Sequence, residues 1–312
     1  MKTMKTTKIP LPAAAYYLLL LLLLPAACQK ADAPPVDEPP VEPAVAFLDG
    51  YTILWEDQFN DDNLNLQHWN IEVNGDGGGN NELQYYRAEN VSIGPDPTGD
   101  RRCLILTARK ESFGGKTATS GRVNTKDKKI FTFVRIDALI RLPKTANGLW
   151  PAFWTMGNDY SSVGWPRCGE LDILEMGHSN GYNGRQDRYL NGACHWGVGW
   201  PNPSYAKDYT SPYGLQDDFH LFTLIWNEQR VATYLDLDQY PDNDPYFEMT
   251  ISDKSTEQSP GNYFQKDFFI LFNLAVGGNF PGIYDINNIS ALQNGDAHMY
   301  IDYIIVSKKN DE

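Results

Sequence analysis

Apolar residues recur at every second position along much of the chain, which is the period of a β-strand. Segments 131–142 and 267–276 each carry one apolar face and one face of mixed aromatic, polar and charged residues. Segments 219–226 and 230–237 predict a hairpin that turns at residues 227–228, and the last strand is expected at 298–307. No long stripe follows the helical period of 3.6 residues. The pattern therefore predicts an all-β, antiparallel sandwich or barrel.

One predicted strand, 170–175, holds three carboxylates among three large apolar residues. Glu170 and Asp172 share a face of a regular strand, whereas Glu175, five residues after Glu170, would point into the core. A lone buried carboxylate costs several kcal/mol or more. One extra residue near Ile173 or Leu174 would form a β-bulge and return Glu175 to the solvent face. We therefore predict three acids on one surface, close enough to push their pKa values apart.

Aromatic residues flank these acids on both sides in the sequence. The flanking set comprises Trp150, Trp154, Trp165, His195, Trp196 and Trp200. The simpler interpretation of the acids is a solvated outer strand face. Indole rings stack on the apolar faces of pyranose sugars, so acids gathered with tryptophans favour a carbohydrate-binding site instead. Alternation also predicts that Arg135, Asn273 and Trp154 project into the same groove as the acids.

The composition suits one large domain or two small ones with a sizeable core. The chain has 312 residues, of which 42% are hydrophobic and 13% aromatic. The formal net charge of −14 argues against a nucleic-acid partner, which requires a basic face. It argues more mildly against a highly sulfated polysaccharide.

The N-terminus has the features of an export signal. Lys2, Lys5 and Lys8 precede an apolar run from residue 13 to residue 24, which is too short to span a membrane. The run ends in small residues before Cys28, and this arrangement resembles a bacterial lipoprotein signal in which Cys28 is lipidated. Cleavage by an ordinary signal peptidase remains the alternative.

Three regions follow from these patterns. Residues 1–28 are expected to form the signal peptide, and residues 29–45, rich in proline and acids, an extended linker. Residues 46–312 are expected to form the folded domain. Cys28 is followed by Gln29 and not by Asp, which by resemblance to bacterial lipoproteins favours sorting to the outer membrane. We therefore expect a lipid-anchored protein at the cell surface, with a periplasmic or secreted protein as the alternative.

The remaining cysteines, Cys103, Cys168 and Cys194, permit at most one internal disulfide. None has the spacing of a zinc site. Cys168 is interpreted as a packing residue or part of the wall of the groove.

Five segments in order along the chain resemble glycoside hydrolase family 16, and within it the laminarinase-like endo-β-1,3-glucanases. Residues 170–175 match the bulged form of the family's Glu-apolar-Asp-apolar-apolar-Glu signature. The other similar segments are 55–59, 80–86, 148–154 and 273–279. The resemblance implies a β-jelly roll of two stacked antiparallel sheets with a substrate cleft on the concave face.

The resemblance also implies a retaining mechanism. Glu170 would be the nucleophile, Glu175 the general acid and base, and Asp172 a hydrogen-bonding partner of the nucleophile. Retaining pairs of carboxylates lie about 5–5.5 Å apart. Substrate-binding roles would fall to Asn80, Arg135, Trp150, Trp154, Trp165, His195 and Asn273.

No cofactor is expected for catalysis. Some family members carry a structural calcium on the convex side, and by resemblance Glu56 and Asp302 would contribute oxygen ligands here. The family usually has an acid where this chain has Gln58.

The expected function is endo-acting hydrolysis of β-1,3-glucan, extending to mixed-linkage β-1,3/1,4-glucan. The alternatives are a galactan hydrolase acting on agar or carrageenan, and a non-catalytic β-glucan-binding lectin. The expected partners are a β-glucan and, through the lipid anchor alone, a membrane. We expect a monomer with no nucleic-acid partner.

Overall fold

Alternating apolar and polar residues form strands along almost the whole folded part of the chain. The computed structural model describes residues 46–145, 147–216 and 218–310. In chain order the strands are β1 Tyr51–Asp57, β2 Asn70–Ile71, β3 Gln84–Tyr86, β4 Val91–Pro95, β5 Arg102–Ala108, β6 Ala118–Ser120, β7 Arg122–Asn124, β8 Ile130–Phe131, β9 Arg135–Arg141, β10 Leu149–Gly157, β11 Glu170–Met176, β12 Tyr189–His195, β13 Ser204–Thr210, β14 His220–Trp226, β15 Arg230–Leu235, β16 Phe247–Thr250, β17 Phe268–Val276 and β18 Ala297–Lys309.

Helical structure is confined to single turns among the described residues. One α-helical turn, α1, spans Tyr160–Val163. The 3₁₀ turns are Ala46–Leu48, Gly77–Gly79, Ala88–Asn90, Ser179–Gly181, Pro260–Asn262, Ile286–Asn288 and Ser290–Leu292. The all-β prediction is confirmed.

The strands form two large antiparallel sheets. The first sheet has the order β16-β15-β14-β9-β18-β5-β4, with β1 paired to β18. The second has the order β13-β12-β11-β10-β17-β7-β2, with β8 paired to β17. A small parallel pair joins β3 to β6. Strand β11, which carries the three acids, therefore lies within the second sheet between β12 and β10.

The core lies between the two sheets and is built from the apolar faces that the sequence pattern predicts. Strand β9 contributes Ile136 and Ile140 from the first sheet, and β17 contributes Ile270 and Phe272 from the second. These side chains are essentially fully buried. Burial of each such side chain stabilises the fold by about 1.5–3 kcal/mol. Trp69, also fully buried, packs against Phe272.

The predicted hairpin forms between β14 and β15, closed by the hydrogen bond from the Asn227 amide to the Arg230 carbonyl (3.0 Å). The predicted strand 131–142 is instead divided into β8 and β9. Phe133 between them adopts a positive φ of 54°, a conformation that interrupts extended structure.

The described residues fall within one compact unit, Val45–Glu312, close to the predicted domain of 46–312. The predicted signal peptide 1–28, its lipidated Cys28 and the linker 29–45 lie outside the described residues. Within the described ranges, no helix has the length and apolarity needed to cross a membrane.

Candidate active site

The strand that carries the acids contains the predicted bulge. On the β10 side, Trp154 pairs with Asp172 and Phe153 pairs with Leu174, so Ile173 has no counterpart. On the β12 side, the register also shifts between Asp172 and Glu175. Two residues of β11 thus oppose one residue of β12, which defines a β-bulge.

The bulge separates the side chains of β11 into two faces. Leu171, Ile173 and Leu174 all belong to the main core and are at most 1% exposed. The three acids, Glu170, Asp172 and Glu175, do not belong to the core cluster and interact with one another on the opposite face of the second sheet. The prediction that a bulge brings all three acids to one face is confirmed. The expectation that this face exposes Glu175 to solvent is wrong, because Asp172 and Glu175 are both buried there.

Each outer acid is held by an indole N–H group. Trp165 Nε1 donates to Glu170 Oε2 (3.0 Å), and Trp150 Nε1 donates to Glu175 Oε1 (3.0 Å). Asn191 on β12 donates from Nδ2 to the other oxygen of Glu175 (3.0 Å). Both carboxylates therefore have fixed orientations. Sequence reasoning missed Asn191, although its position opposite Glu175 follows once the register of β12 is known.

The middle acid, Asp172, lies beside the predicted cleft histidine. His195 Nε2 is 3.7 Å from Asp172 Oδ2, and His195 lies opposite Glu170 in the β11–β12 ladder. Asp172 Oδ2 is buried and has no hydrogen-bond partner among the described residues. The site therefore gathers three carboxyl groups around an acceptor atom, Asp172 Oδ2, that receives no hydrogen bond from the described residues.

Burial and mutual repulsion raise the pKa values of the acids. Burial, followed by the charge of Glu175, raises the pKa of Glu170 to about 7, against the opposing effects of Trp165 and Arg122. Burial raises the pKa of Glu175 to about 7, against the hydrogen bonds from Asn191 and Trp150.

The pKa of Asp172 is also raised, by burial and then by Glu175 and Glu170. Burial lowers the pKa of His195, so its imidazole is neutral near pH 7. At neutral pH the acids consequently share protons and do not carry three full charges. Such a group can hold an ionised carboxylate and a protonated one side by side, as acid–base catalysis requires.

Trp154 and Asn273 lie on the same face as the acids, as predicted. Trp154 Nε1 donates to Asn273 Oδ1 (2.7 Å). The guanidinium of Arg122 on β7 lies over the Trp154 ring, 5.0 Å from its centroid. Arg122 is itself held by Glu72, with Nε 3.0 Å from the carboxylate. Sequence reasoning missed Arg122 because β7 has only three residues, too few to reveal an alternation.

The prediction that Arg135 lies in the site is wrong. It lies on β9, in the first sheet, and its guanidinium binds both carboxylate oxygens of Asp137 (2.8 and 2.9 Å). Its Nη1 donates to the carbonyl of Phe47 (3.0 Å). Strand alternation gave the correct face of β9 but could not show that β9 belongs to the other sheet. Arg135 fastens the start of the domain to the first sheet.

The remaining predicted binding residues, Trp165, Trp150 and Asn80, differ in how far they are free to contact a ligand. Trp165 is 42% exposed, so its ring is available to a ligand. Trp150 stacks on Phe280, with ring centroids 4.5 Å apart and planes at 12°. Asn80 lies in a loop and donates to the carbonyl of Gly78 (3.3 Å). Trp150 thus combines packing with support of Glu175.

The predicted calcium ligands do not form a fitting site. Asp302 is ion-paired with Arg101, a cation that already neutralises it. The Glu56 carboxylate accepts a hydrogen bond from Gln58 Nε2 (2.9 Å). Glu56 lies opposite Ile305 in the β1–β18 ladder, three residues from Asp302. Such a donor set lacks the converging oxygens that Ca²⁺ requires.

One group of three side chains within the described ranges could hold a metal ion. One ligand atom each from Glu170, Asp172 and His195 lies within 4.8 Å of the others. These atoms belong to the site described above.

All three cysteines of the domain, Cys103, Cys168 and Cys194, are buried free thiols. Burial raises the pKa of Cys168 to about 12. Cys168 packs with Met156 and Phe269 next to Trp154. The interpretation of Cys168 as a packing residue is therefore confirmed.

Comparison with known proteins agrees with this geometry. Residues 81–259 match the family model described as glycosyl hydrolases family 16. Among curated proteins, glucan endo-1,3-beta-glucosidase of Cryptopygus antarcticus is 35% identical, over 76% of this chain and 85% of that protein. Glucan endo-1,3-beta-glucosidase A1 of Niallia circulans is 31% identical over 86% of this chain, which spans only 39% of that protein.

Among solved structures, a family 16 protein from the mixed-linkage glucan locus of Bacteroides ovatus, in complex with a G4G4G3G product, is 40% identical. It matches with a TM-score of 0.71 over 81% of this chain and 100% of that chain. The two-sheet arrangement described above is therefore the jelly roll of such structures.

Proposed function

Because the chain belongs to glycosyl hydrolases family 16, we propose that it cleaves β-1,3-glucan within the chain and with retention of anomeric configuration. The observation that carries the proposal is the bulged strand β11, which presents Glu170, Asp172 and Glu175 on one face. Two of these acids are oriented by indole N–H groups. All three are present, whereas a lectin needs none of them.

In the first step of the proposed reaction, Glu170 attacks the anomeric carbon. A bond forms between that carbon and the Glu170 carboxylate, and the bond to the leaving oxygen breaks while Glu175 gives that oxygen its proton. In the second step Glu175 takes a proton from water, which displaces Glu170. Trp165 and Arg122 favour the ionised form of Glu170, and the raised pKa of Glu175 keeps its proton available.

Mixed-linkage β-1,3/1,4-glucan is the second candidate substrate. The Bacteroides ovatus structure named for mixed-linkage glucan is 40% identical to this chain, a higher identity than that of either curated endo-1,3-glucanase described above. A galactan hydrolase on the same fold is the third candidate. We expect laminarin and mixed-linkage glucan to be cleaved and agarose to be left intact.

The proposed function is tested by the product profile of the purified domain on laminarin, mixed-linkage glucan and agarose. Early release of oligosaccharides of several lengths indicates endo action. NMR of the first product should show the β-anomer before mutarotation. Release of reducing ends from agarose alone, or of the α-anomer first, would overturn the proposal.

We also propose that Cys28 carries a lipid that anchors the domain to a membrane, with residues 29–45 as a tether. The support is the basic and apolar leader that ends in Ala-Ala-Cys. In a bacterial host the full chain should incorporate labelled palmitate and sediment with membranes. Cys28→Ser should abolish both properties, and labelling of that variant would contradict the proposal.

The pH dependence of kcat/KM should report the two glutamates separately. Trp165→Phe removes a hydrogen bond that lowers the pKa of Glu170, so this pKa should rise further. The nucleophile must be ionised, so the acidic limb should move up by about one pH unit.

Asn191→Leu removes a hydrogen bond that lowers the pKa of Glu175. The general acid must be protonated, so here the alkaline limb should move up by a similar amount. The limbs belong to the coupled pair, and their movement is measured from full pH profiles on laminarin. If Trp165→Phe moved the alkaline limb and Asn191→Leu the acidic one, the roles of the two glutamates would be reversed.

Arg122 and Arg135 offer a matched comparison between the two sheets. Arg122→Met should lower kcat/KM on laminarin about tenfold or more, because it frees Trp154 and removes a charge that favours ionised Glu170. Arg135→Met leaves Asp137 buried without its cation and should cost about 3–5 kcal/mol of stability.

Kinetics and urea unfolding of both variants measure these effects. Below its own unfolding transition, Arg135→Met should retain the KM and kcat of the original chain. A rise of KM without a loss of kcat in folded Arg135→Met would show that Arg135 contacts the substrate, and would contradict its placement outside the site.

A further inference from the structure

The bulge in β11 removes main-chain groups from the regular ladder. Ile173 has no partner residue on β10, and the extra residue of a bulge is left unpaired. A buried carbonyl without a donor costs about 1–3 kcal/mol. The bulge therefore needs a donor from outside its own sheet.

Tyr246 supplies that donor. Its hydroxyl donates a hydrogen bond to the carbonyl of Ile173, 73 residues away in the sequence. Tyr246 directly precedes β16, the edge strand of the first sheet, and its amide donates to the carbonyl of Thr233 on β15 (3.0 Å). The tyrosine is 3% exposed. The contact thus crosses the core from one sheet to the other.

Phe247, the residue after Tyr246, packs against the bulged region from the side of β12. Gly192 on β12 lies between Asn191 and Ala193, which pair with Glu175 and Asp172, so it faces the bulge. A Cβ atom on Gly192 would lie 2.7 Å from Cβ of Phe247, closer than real Cβ atoms approach. Phe247 is completely buried. The start of β16 therefore packs tightly beneath the bulged part of the second sheet.

We propose that Tyr246 is a positioning residue that holds the β11 bulge and thereby keeps Glu175 in the place of the general acid. The inference rests on the proposed function for the role of Glu175. Without the bulge, the five-residue spacing from Glu170 would direct Glu175 into the core. Tyr246 itself lies among core residues and does not belong to the acid face. Its effect on the reaction passes through the backbone at Ile173.

A comparison of two substrates with different leaving groups tests this role. Laminarin has a poor leaving group and needs the proton from Glu175, whereas a 2,4-dinitrophenyl β-glycoside of laminaribiose does not. Tyr246→Phe should lower kcat/KM on laminarin about 10- to 100-fold. On the dinitrophenyl substrate, kcat/KM reports glycosylation alone and should change less than about threefold.

Tyr263→Phe is the matched control. Tyr263 is also buried, and its hydroxyl also donates to a main-chain carbonyl, that of Glu257 (2.7 Å), which is not part of β11. This variant should lose stability without discriminating between the substrates. Circular dichroism and thermal unfolding of each variant identify the temperature range in which the kinetics apply to folded protein.

Gly192→Ala disturbs the same bulge from β12. It replaces Tyr246→Phe as the test variant if Tyr246→Phe does not fold. The methyl group must displace Phe247, and the same selective loss on laminarin is expected. Equal losses on both substrates, or a Tyr246→Phe profile like that of Tyr263→Phe, would overturn the inference. Inactivity of the original chain on both glucoside substrates would instead contradict the proposed function.

Discussion

Replacing Glu170 with glutamine should lower kcat/KM on laminarin by about 10⁴-fold or more, because an amide cannot form the covalent glycosyl intermediate. The replacement keeps the shape of the side chain and an oxygen to accept the Trp165 hydrogen bond, so substrate binding should survive. Binding is measured by calorimetry with laminari-oligosaccharides and turnover by reducing-end release. Hydrolysis near the original rate would remove Glu170 from the nucleophile role.

The same replacement should stabilise the folded domain at alkaline pH. The pKa of Glu170 is raised from 4.5 to about 7 in the fold. Its favourable contribution to folding is therefore complete below pH 4.5 and is lost as the pH rises through 7. Glutamine carries no charge and undergoes no such loss. The Tm of Glu170→Gln should exceed that of the original chain at about pH 8, and the gain should shrink toward about pH 4.

A surface carboxylate provides the control for this stability effect. Glu89 has a side chain that is 66% exposed and paired with Arg87. Glu89→Gln should leave Tm nearly unchanged across the same pH range, because surface ion pairs contribute little. If Glu89→Gln raised Tm as much as Glu170→Gln does, the gain in Tm would come from the change in net charge and not from the environment of Glu170. A pH-independent Tm difference for Glu170→Gln would contradict the raised pKa of Glu170.

The sequence predicts the bulge because a carboxylate that points into the apolar core is costly whatever the surrounding fold. Glu175 lies five residues after Glu170, and in a strand with a period of two residues this spacing puts the two carboxylates on opposite faces. The resolution of that conflict, an unpaired Ile173, needs no knowledge of neighbouring strands. Local periodicity likewise predicts the core faces of β9 and β17.

The sequence does not show which strands become neighbours in the sheets. The wrong prediction for Arg135 and the missed residues Arg122 and Tyr246 all depend on strand neighbours. Arg135 has the alternation of a groove residue but lies on the first sheet. Arg122 reaches the site because β7 pairs with β17 and places Arg122 opposite Asn273. Tyr246 supports the bulge across the core, from a segment whose sequence shows no catalytic motif. Such contacts depend on long-range packing, which strand periodicity does not encode.

Glu175→Ala should divide the reaction into its two steps. Loss of the general acid should lower kcat/KM on laminarin by about 10²–10⁴-fold. On the dinitrophenyl glycoside of laminaribiose, kcat/KM should change little, because its leaving group departs without a proton. The second step should then limit turnover, since no base activates water. The glycosyl-enzyme should accumulate and be visible by mass spectrometry as an adduct on Glu170.

Azide provides the decisive addition to this experiment because it needs no general base. It should enter the space vacated by the Glu175 side chain and restore kcat on the activated substrate. The product should be the β-glycosyl azide, since two displacements retain the configuration. Glu170→Gln gives the matched comparison, because it forms no intermediate and gains nothing from azide by this route. An α-glycosyl azide from Glu175→Ala would mean a single displacement and would contradict a covalent role for Glu170, whereas the β-azide would assign both acids of the bulged strand at once.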